Sequence, residues 1–543
     1  QRTRLKSNLK ALFFVGANDT LLPGNMGQGG LLTERDREWF QKEKQALSPG
    51  AKEKTYIQKF YLYMNLTKPE EFLHISYSKV SSDGKTLRPA YLIWDLKKLF
   101  PKLVITEEEA LRMTQRELTP GEGLEFVIRG VRDRYLGVDE SWKELYTWYR
   151  QNEGQKVDRI LDAGFFKKKP DALTGEEAAE LYGEKKQFSV TRMERFSACA
   201  YAHFLTYGLH LSDRERYEFE AMDLGNIAHQ SMERFARKAQ EKRMPWPKLE
   251  EVQRDAMIEE SVEESIKDYG NTVLYSTARN EYMIVRIKQL IRRSVWALTR
   301  QMEKGDFEPS GYEMNFGSGK IDRVDTCEDE DVVYVKVTDY KTGMKSFDIV
   351  ALYHGLQMQL PVYLNAALEL EERRASGKTV EPAGIFYYRI KDPIVDREKD
   401  DHALEEKILK ELRLDGMINA KEEVIEHLEH QLSGTSVLNP IGKNKDGSLN
   451  RYSKVLPPEA FAAMLSYTKK KEAQMKRQIY AGEVQANPYE LNGSTGCDYC
   501  AYRDICGFDP RLDGYAYRSL EKYSKEEVIR RMEEEIENRE EPS

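Results

Sequence analysis

A chain of 543 residues has room for two or more domains with sizeable cores. Charged residues make up 32% with both signs mixed, the formal net charge is −8, and no apolar run approaches membrane-spanning length. This suits a soluble intracellular protein, argues against a uniformly basic nucleic-acid binder, and leaves room for a local basic groove. Five cysteines, an odd and low count, do not make a secreted disulfide framework. No signal peptide is visible, and a first residue Gln1 in place of Met marks a fragment or a processed product.

In chain order, Lys10–Pro23 reads K-A-L-F-F-V-G-A-N-D-T-L-L-P, a short buried strand at Ala11–Val15 followed by a G-A-N-D turn. The stretch to about Gln187 mixes helices with short strands such as Phe72–Tyr77, and Lys167–Pro170 with Thr174-Gly175 reads as loop. No G-x-x-x-x-G-K-[ST] phosphate loop occurs; Gly317–Lys320 (G-S-G-K) lacks the first glycine and the following Ser or Thr, so no ATP site is expected. Phe188–Leu211 is rich in aromatics and holds Cys199, with Ser189 or Thr191 placed to cap a helix running into Phe204. Ile227, Met232 and Phe235 give Leu224–Ala239 an amphipathic helical pattern that carries His229; a lone histidine there is usually structural. In the longer helix Ile284–Arg300, an apolar stripe (Ile284, Ile287, Ile291, Leu298) is covered by Arg286, Lys288, Arg292, Arg293 and Arg300. That face is either solvated or a phosphate-tracking wall beside an active site.

Gly319–Lys341 reads as two strands joined by an acidic turn. Val333, Val335, Val337, Asp339 and Lys341 share one face, since side chains two apart in a strand point the same way. A carboxylate leaving a valine-lined face needs a partner, and a divalent cation is a good one. Asp322 on the preceding strand offers a second acid. Two acids and a lysine at the mouth of a hairpin suit metal-assisted phosphodiester cleavage; a surface D-x-K ion pair has the same spelling. Beyond the hairpin, Tyr353–Leu364 is a helix with Pro361 at its first turn or at a kink, and Gln359 and Tyr363 on one face. These two either hydrogen-bond to a nucleic acid or pack in a core. Ala383–Tyr388 is a strand, Leu438–Leu449 a loop and Pro458–Ile479 a helix. From Pro510 on, the chain reads as a solvated helix with a frayed end.

Cys497, Cys500 and Cys506 form C-x2-C-x5-C, three thiols on one tight loop, and Cys199 is the candidate fourth ligand. Four thiolates serve either tetrahedral Zn²⁺ or an iron–sulfur cluster, and the spacing leaves both open. Joining positions this far apart closes a very long loop, so the metal would act as a staple and not as the catalyst. Cys327, in the acidic turn, reads as a free thiol.

Cys199, His229, Asp322, Asp339-Tyr340-Lys341, Gln359–Tyr363 and Cys497, Cys500 and Cys506, in that order, resemble the RecB-type nuclease domain of the PD-(D/E)xK superfamily, in the version stapled by a 4Fe–4S cluster. Within it they resemble the AddB-type chains of bacterial ATP-dependent helicase/deoxyribonucleases. F-F-V-G-A-N-D-T-L-L-P is similar to the late part of the helicase-like region of those chains. The resemblance is specific from Phe188 to Asp509. It implies an α/β fold, a restriction-endonuclease-like nuclease core (a mixed central sheet flanked by helices) preceded by a partial helicase-like α/β region. Residues 1–186 would be the end of that motor-inactive region, 187–511 the nuclease domain, and 512–543 a charged helical tail.

The resemblance further implies that His229, Asp322, Asp339 and the Tyr340 carbonyl ligate a catalytic Mg²⁺. Lys341 would stabilise or activate the nucleophile, Gln359 and Tyr363 would lie near the DNA strand, and the four cysteines would hold the 4Fe–4S cluster. Glu313, in E-M-N-F-G, falls where the family has an acid-bearing strand, with no role assigned. Ile321 stands where the superfamily name has proline, and Ala200 follows Cys199 where the family often has proline. The implied function is a Mg²⁺-dependent exonuclease that cuts the 5′-ended strand within a heterodimer processing double-strand breaks for recombinational repair. Its partners would be DNA (single-stranded at the nuclease site, a duplex end for the complex) and an AddA-type helicase/nuclease chain. The setting would be the bacterial cytoplasm, associated with the nucleoid and without a membrane. Two rivals stand beside this: a zinc-stapled, inactive DNA-binding scaffold, and a stand-alone exonuclease of the CRISPR-associated kind. The long upstream segment argues against the second.

Overall fold

The computed structural model describes residues 5, 8–19, 21–22, 39–40, 42–43, 50–81, 84–107, 119–132, 140–166, 172–183, 188–212, 221–269, 272–275, 278–317, 319–375, 377–398 and 400–537. Lys167–Pro170, Ser318 and the last residues of the acidic C-terminus lie outside these. The chain divides into two compact units, Gln1–Ile160 and Leu161–Ser543.

In the first unit β1 (Leu9–Phe14) pairs in parallel with β2 (Pro69–Ile75), and α1 (Ala51–Leu66) connects them. Parallel neighbours need such a crossover. The G-A-N-D turn is a buried corner. The Asn18 amide donates to the carbonyls of Ser78 and Arg88 and accepts from the Ser78 N–H, which ties three segments over Ala17, Leu22, Ala90 and Ile93. Helices α2 (Tyr91–Leu99), α3 (Pro120–Arg132) and α4 (Glu140–Asn152) follow, and α5 (Gly154–Gly164) spans the division between units.

The second unit is built on a mixed six-stranded sheet in the order β3 (Glu308–Phe316), β4 (Gly319–Asp329), β5 (Val332–Lys341), β6 (Thr379–Arg389), β7 (Asp415–Asn419), β8 (Val455–Leu456). The first three strands form an antiparallel meander, β5 and β6 are parallel, β7 is antiparallel to β6, and β8 is parallel to β7. The period-two reading of β5 holds. Val333, Val335 and Val337 enter one core; Tyr334 and Tyr340 enter the other, on the opposite face. Over the valine face lie α6 (Gly175–Tyr182), α7 (Val190–Ala198), α12 (Ile349–Tyr353), α13 (Gln359–Glu372), α16 (Pro458–Tyr480) and α18 (Lys525–Glu537). Over the tyrosine face lie α9 (Ala221–Glu241), α10 (Glu251–Asp268), α11 (Ala278–Met302), α14 (Asp401–Glu411) and α15 (Glu422–Leu428). Helices on both faces of a mixed sheet make this the α/β class expected from sequence. Among the described residues no helix is long and apolar enough to cross a membrane.

Several segments differ from expectation. The strand expected to be buried at Ala11–Val15 leaves Phe13 and Val15 mostly exposed. Thr174-Gly175 is not loop: Thr174 caps α6 in a reciprocal box with Glu177, and Ala178 and Tyr182 enter the valine-face core. The helix capped by Ser189, expected to run into Phe204, stops at Cys199. That residue is extended (φ −168°, ψ 119°), and the next two N–H groups turn to the Asn487 side chain and the Gln485 carbonyl. A short helix α8 (Ala200–His203) and a π-helical turn (Phe204–Gly208) follow. The C-terminal helix α18 is not solvated: Val528 and Met532, four apart and so on one face, are buried against α16.

Candidate active site

The antiparallel register of β4 and β5 pairs Arg323 with Thr338, so Asp322 lies one step further along, beside Asp339. Asp339 and Lys341, two apart on one face, form an ion pair. Asp322 Oδ2 accepts the Tyr340 N–H at 2.7 Å and stands 3.2 Å from His229 Nδ1. His229 is delivered by α9, and its two neighbours Ile227 and Ala228 are buried, which fixes the ring over the hairpin. Glu313 comes from β3 with a left-handed backbone (φ +45°), rare outside glycine. Ligand atoms of His229, Glu313 and Asp322 all lie within 4.8 Å of one another. On the other side of Asp339, the Gln359 amide donates to Asp339 Oδ1 and to the Tyr363 hydroxyl, both at 2.9 Å. Pro361 is tolerated at the first turn of α13 because N–H groups there have no helical partner.

The structure therefore brings His229, Asp322, Asp339, Lys341, Gln359 and Tyr363 together. The Tyr340 side chain turns to the opposite face of the strand, where its buried ring stands edge-on to both His229 and Tyr388. Glu313, to which the motif pattern assigned no role, joins the cluster directly. The electrostatics are those of acids held too close. Burial, then the charges of Asp322 and Glu233, push the Glu313 carboxyl up to about 7. Burial and the nearby Asp322 also raise Asp339, with Lys341 opposing. Burial disfavours the protonated His229 ring, but the hydrogen bond and charge of Asp322 outweigh it and raise its pKa. Crowded oxygen and nitrogen donors of this kind fit a divalent cation, whose charge would relieve the repulsion.

One residue at the site had no signal in the sequence. Glu194, on α7, accepts the backbone N–H groups of Met358 (2.8 Å) and Gln359 (3.1 Å) and so fixes the first turn of α13. Burial raises its carboxyl, with Lys345 and Lys341 as the opposing charges. Its partners lie more than 160 positions downstream, beyond the reach of any local pattern.

The basic face of α11 is spent on protein carboxylates. Arg286 and Arg293 pair with Asp392, Lys288 with Glu263, Arg292 with Asp255 and Glu259, and Arg300 with Glu303 and Glu405. A wall of cations free to track phosphates is not what this helix presents.

The four distant cysteines meet. Cys199, at the break between α7 and α8, packs with Ala202, Leu205, Tyr502 and Cys500. Burial lifts the Cys497 thiol to about 11, with added repulsion from Cys199, Cys500 and Cys506. The Tyr502 hydroxyl donates to the Leu211 carbonyl and accepts from Thr206, which anchors the loop. Cys506 closes the short helix α17 (Arg503–Cys506), and its sulfur accepts the Phe508 N–H at 3.4 Å. No three of these sulfurs fall within 4.8 Å of one another. A tetrahedral zinc–thiolate site has edges of about 3.8 Å, given Zn–S bonds of about 2.3 Å.

A mixed sheet flanked by helices, with D…D-x-K at the mouth of its central hairpin, is the architecture of an α/β metal-dependent nuclease. Residues 187–507 match the PD-(D/E)XK nuclease superfamily, and the chain belongs to it. It is 38% identical, over 97% of its own length and 47% of the relative's, to the B-type subunit of the ATP-dependent helicase/deoxyribonuclease of Lachnoclostridium phytofermentans. The same-named proteins of Alkaliphilus oremlandii (32%) and Thermoanaerobacter sp. (30%) are each matched over 98% of this chain and 49% of their own length. The chain thus spans about half the length of the curated relatives it matches.

Proposed function

We propose that the second unit is a Mg²⁺-dependent deoxyribonuclease working within a helicase–nuclease complex. The observation that carries this is the convergence of Asp322, Asp339 and Lys341 with His229 and Glu313 on one hairpin. Asp322, Asp339, His229 and the Tyr340 carbonyl would hold the cation, with Glu313 close enough to join them. When bound, the cation supplies Lewis-acid polarisation of a phosphate and an acidified water. Lys341 is held by Asp339 at the same edge, where its ammonium stabilises charge developing on the scissile phosphate. Gln359 orients Asp339 and, with Tyr363, lines the path of the strand.

The relatives' names favour DNA as substrate and a partner chain that supplies the motor. The match of the upstream residues as well as the nuclease favours this over a stand-alone exonuclease. On this reading the chain is the 5′-strand-cutting half of an AddA-type heterodimer acting on double-strand breaks in the bacterial cytoplasm. Cys199, Cys497, Cys500 and Cys506 would hold a 4Fe–4S cluster; the return of Cys199 to the C-terminal cysteine loop supports a shared group.

The test is cleavage of linear single-stranded DNA by the chain purified without oxygen, with Mg²⁺ and with EDTA. Cleavage that needs Mg²⁺ and is lost in Asp339→Asn is the expected result. Undiminished cleavage by that variant defeats the assignment. Iron and acid-labile sulfide near four each per chain are expected in the same preparation, and stoichiometric zinc without sulfide would reject the cluster.

A further inference from the structure

Cys327 belongs neither to the active site nor to the four-cysteine loop. It lies on β4, paired across the hairpin with Tyr334, and its side chain faces the core opposite Asp339. It is 4% exposed, and its thiol makes no hydrogen bond among the described residues. Two other donors converge on it, and a further histidine adjoins them. Asp306 sits in the turn between α11 and β3, His427 near the end of α15, and His430 just beyond. Both imidazoles reach the same oxygen: His427 Nδ1 is 2.8 Å and His430 Nε2 2.7 Å from Asp306 Oδ2. Ligand atoms of Asp306, Cys327 and His427 all lie within 4.8 Å of one another.

The backbone locks this geometry. Asp306 N–H bonds to the His427 carbonyl at 2.9 Å, and His430 N–H to the Lys304 carbonyl at 2.8 Å. Gly305 permits the approach, since a Cβ there would stand 2.4 Å from the His427 carbonyl oxygen. Histidine–aspartate pairing accounts for Asp306, His427 and His430. It leaves unexplained why a buried, unbonded thiol points into the same group.

We propose that Asp306, Cys327 and His427 form a second metal site that takes a zinc-class divalent cation, with His430 beside it on the shared Asp306 oxygen. Sulfur and imidazole nitrogen suit a borderline-soft ion and are poor ligands for Mg²⁺ or Ca²⁺. With Nδ1 of His427 turned to the metal, its Nε2–H faces Asp329 Oδ2 at 3.5 Å, the carboxylate–histidine arrangement usual behind a bound imidazole. Binding expels the thiol proton and any second proton on the imidazoles, so the dication meets one thiolate and one carboxylate. Without that charge, burial and then Asp306 and Asp329 hold the thiol up at about 11 and so protonated. The cation nearest the sulfur, Lys336, is itself paired with Asp325 at 3.6 Å. The site would pin the α11–β3 turn to the end of α15, and it lies on the sheet face away from Asp339.

The test is Co²⁺ titration of the full chain, purified without oxygen with its loop cysteines loaded, beside Cys327→Ser and His427→Gln. For the wild type, about one cobalt per chain with thiolate-to-metal charge-transfer absorption is expected, and added Zn²⁺ should raise Tm. Cys327→Ser should lose the charge-transfer band. His427→Gln, which keeps every thiol, should bind at least ten-fold more weakly, and neither variant should gain Tm with zinc. A wild type with no such band overturns the proposal without reference to any variant. So does a band and a zinc-induced Tm shift that persist unchanged in Cys327→Ser, since the metal would then sit on other thiols.

Discussion

Asp339 occupies a position that strand alternation reserves for an apolar side chain, next after Val337 on the core face and paired across the sheet with Tyr387. It can stay there because Lys341 and Gln359 meet its two oxygens. Asp339→Asn keeps the shape and removes the charge, so Mg²⁺-dependent cleavage should fall about a thousand-fold or more while the melting curve stays near wild type. Glu194 acts one step back, through the N–H groups that begin α13. Glu194→Ala should lower kcat by roughly ten- to a hundred-fold with little change in KM, through misplacement of Gln359. Glu194→Gln retains an acceptor oxygen and should recover most of that loss; failure of Gln to rescue would mean that the charge, and not the position, matters. The D-x-K pair was legible because two positions in a strand share a face by geometry alone. Glu194 was not, because nothing local marks a carboxylate whose partners are set by the packing of α7 on α13. Glu313 was half legible: its acid could be placed on a strand, but its contact with His229 depends on how α9 crosses the sheet.

Helices followed the same division between local and tertiary causes. Apolar spacing located α16 to within a residue and the body of α11, though not its first turns from Ala278, because a core-facing stripe must repeat with the helical period. The fate of the polar faces was not legible. The cations on α11 look free in sequence, and only the fold brings α10, α14 and Asp392 to them. Substituting Arg292 and Arg293 with glutamine should therefore leave DNA affinity within about two-fold, measured by salt-dependent binding. On α16, the half-buried Glu472 lines a pocket with Val362 and Phe316, and partial burial lifts its carboxyl from 4.5 to about 7, with Lys469 opposing. The unfolded chain gives up this proton at lower pH than the folded one. Its contribution to stability is thus largest below about pH 4.5, falls as pH rises toward 7, and levels off above it. Glu472→Gln removes that decline. It should melt like wild type at pH 4 and about one degree higher at pH 8, a gain on the order of 1 kcal/mol. An equal Tm difference at both pH values would rule out the titration as its cause.

Across the whole molecule, the loop of Cys497, Cys500 and Cys506 returns to Cys199 from almost 300 residues away. Everything that builds the nuclease sheet lies between these ends. A metal group closing a loop of that length would restrict the unfolded chain and, by chain entropy, stabilise the fold by on the order of 5 kcal/mol. The joint also has a mechanical route to the active site. Cys199 ends α7, Glu194 lies about one turn earlier on that helix, and Glu194 holds the N–H groups at the start of α13. Loss of the proposed cluster should thus act twice, on stability and on the placement of Gln359, without touching a metal ligand of the catalytic cation. Cys500→Ala should lower Tm by roughly five degrees and expose the 497–508 loop to protease. At a temperature where the variant is still folded, its kcat should drop by about the same factor as Glu194→Ala, and combining the two should add little, because both act through one helix. A variant that melts and resists protease like wild type would remove the staple. Full additivity with Glu194→Ala would leave the staple standing and sever it from the active site.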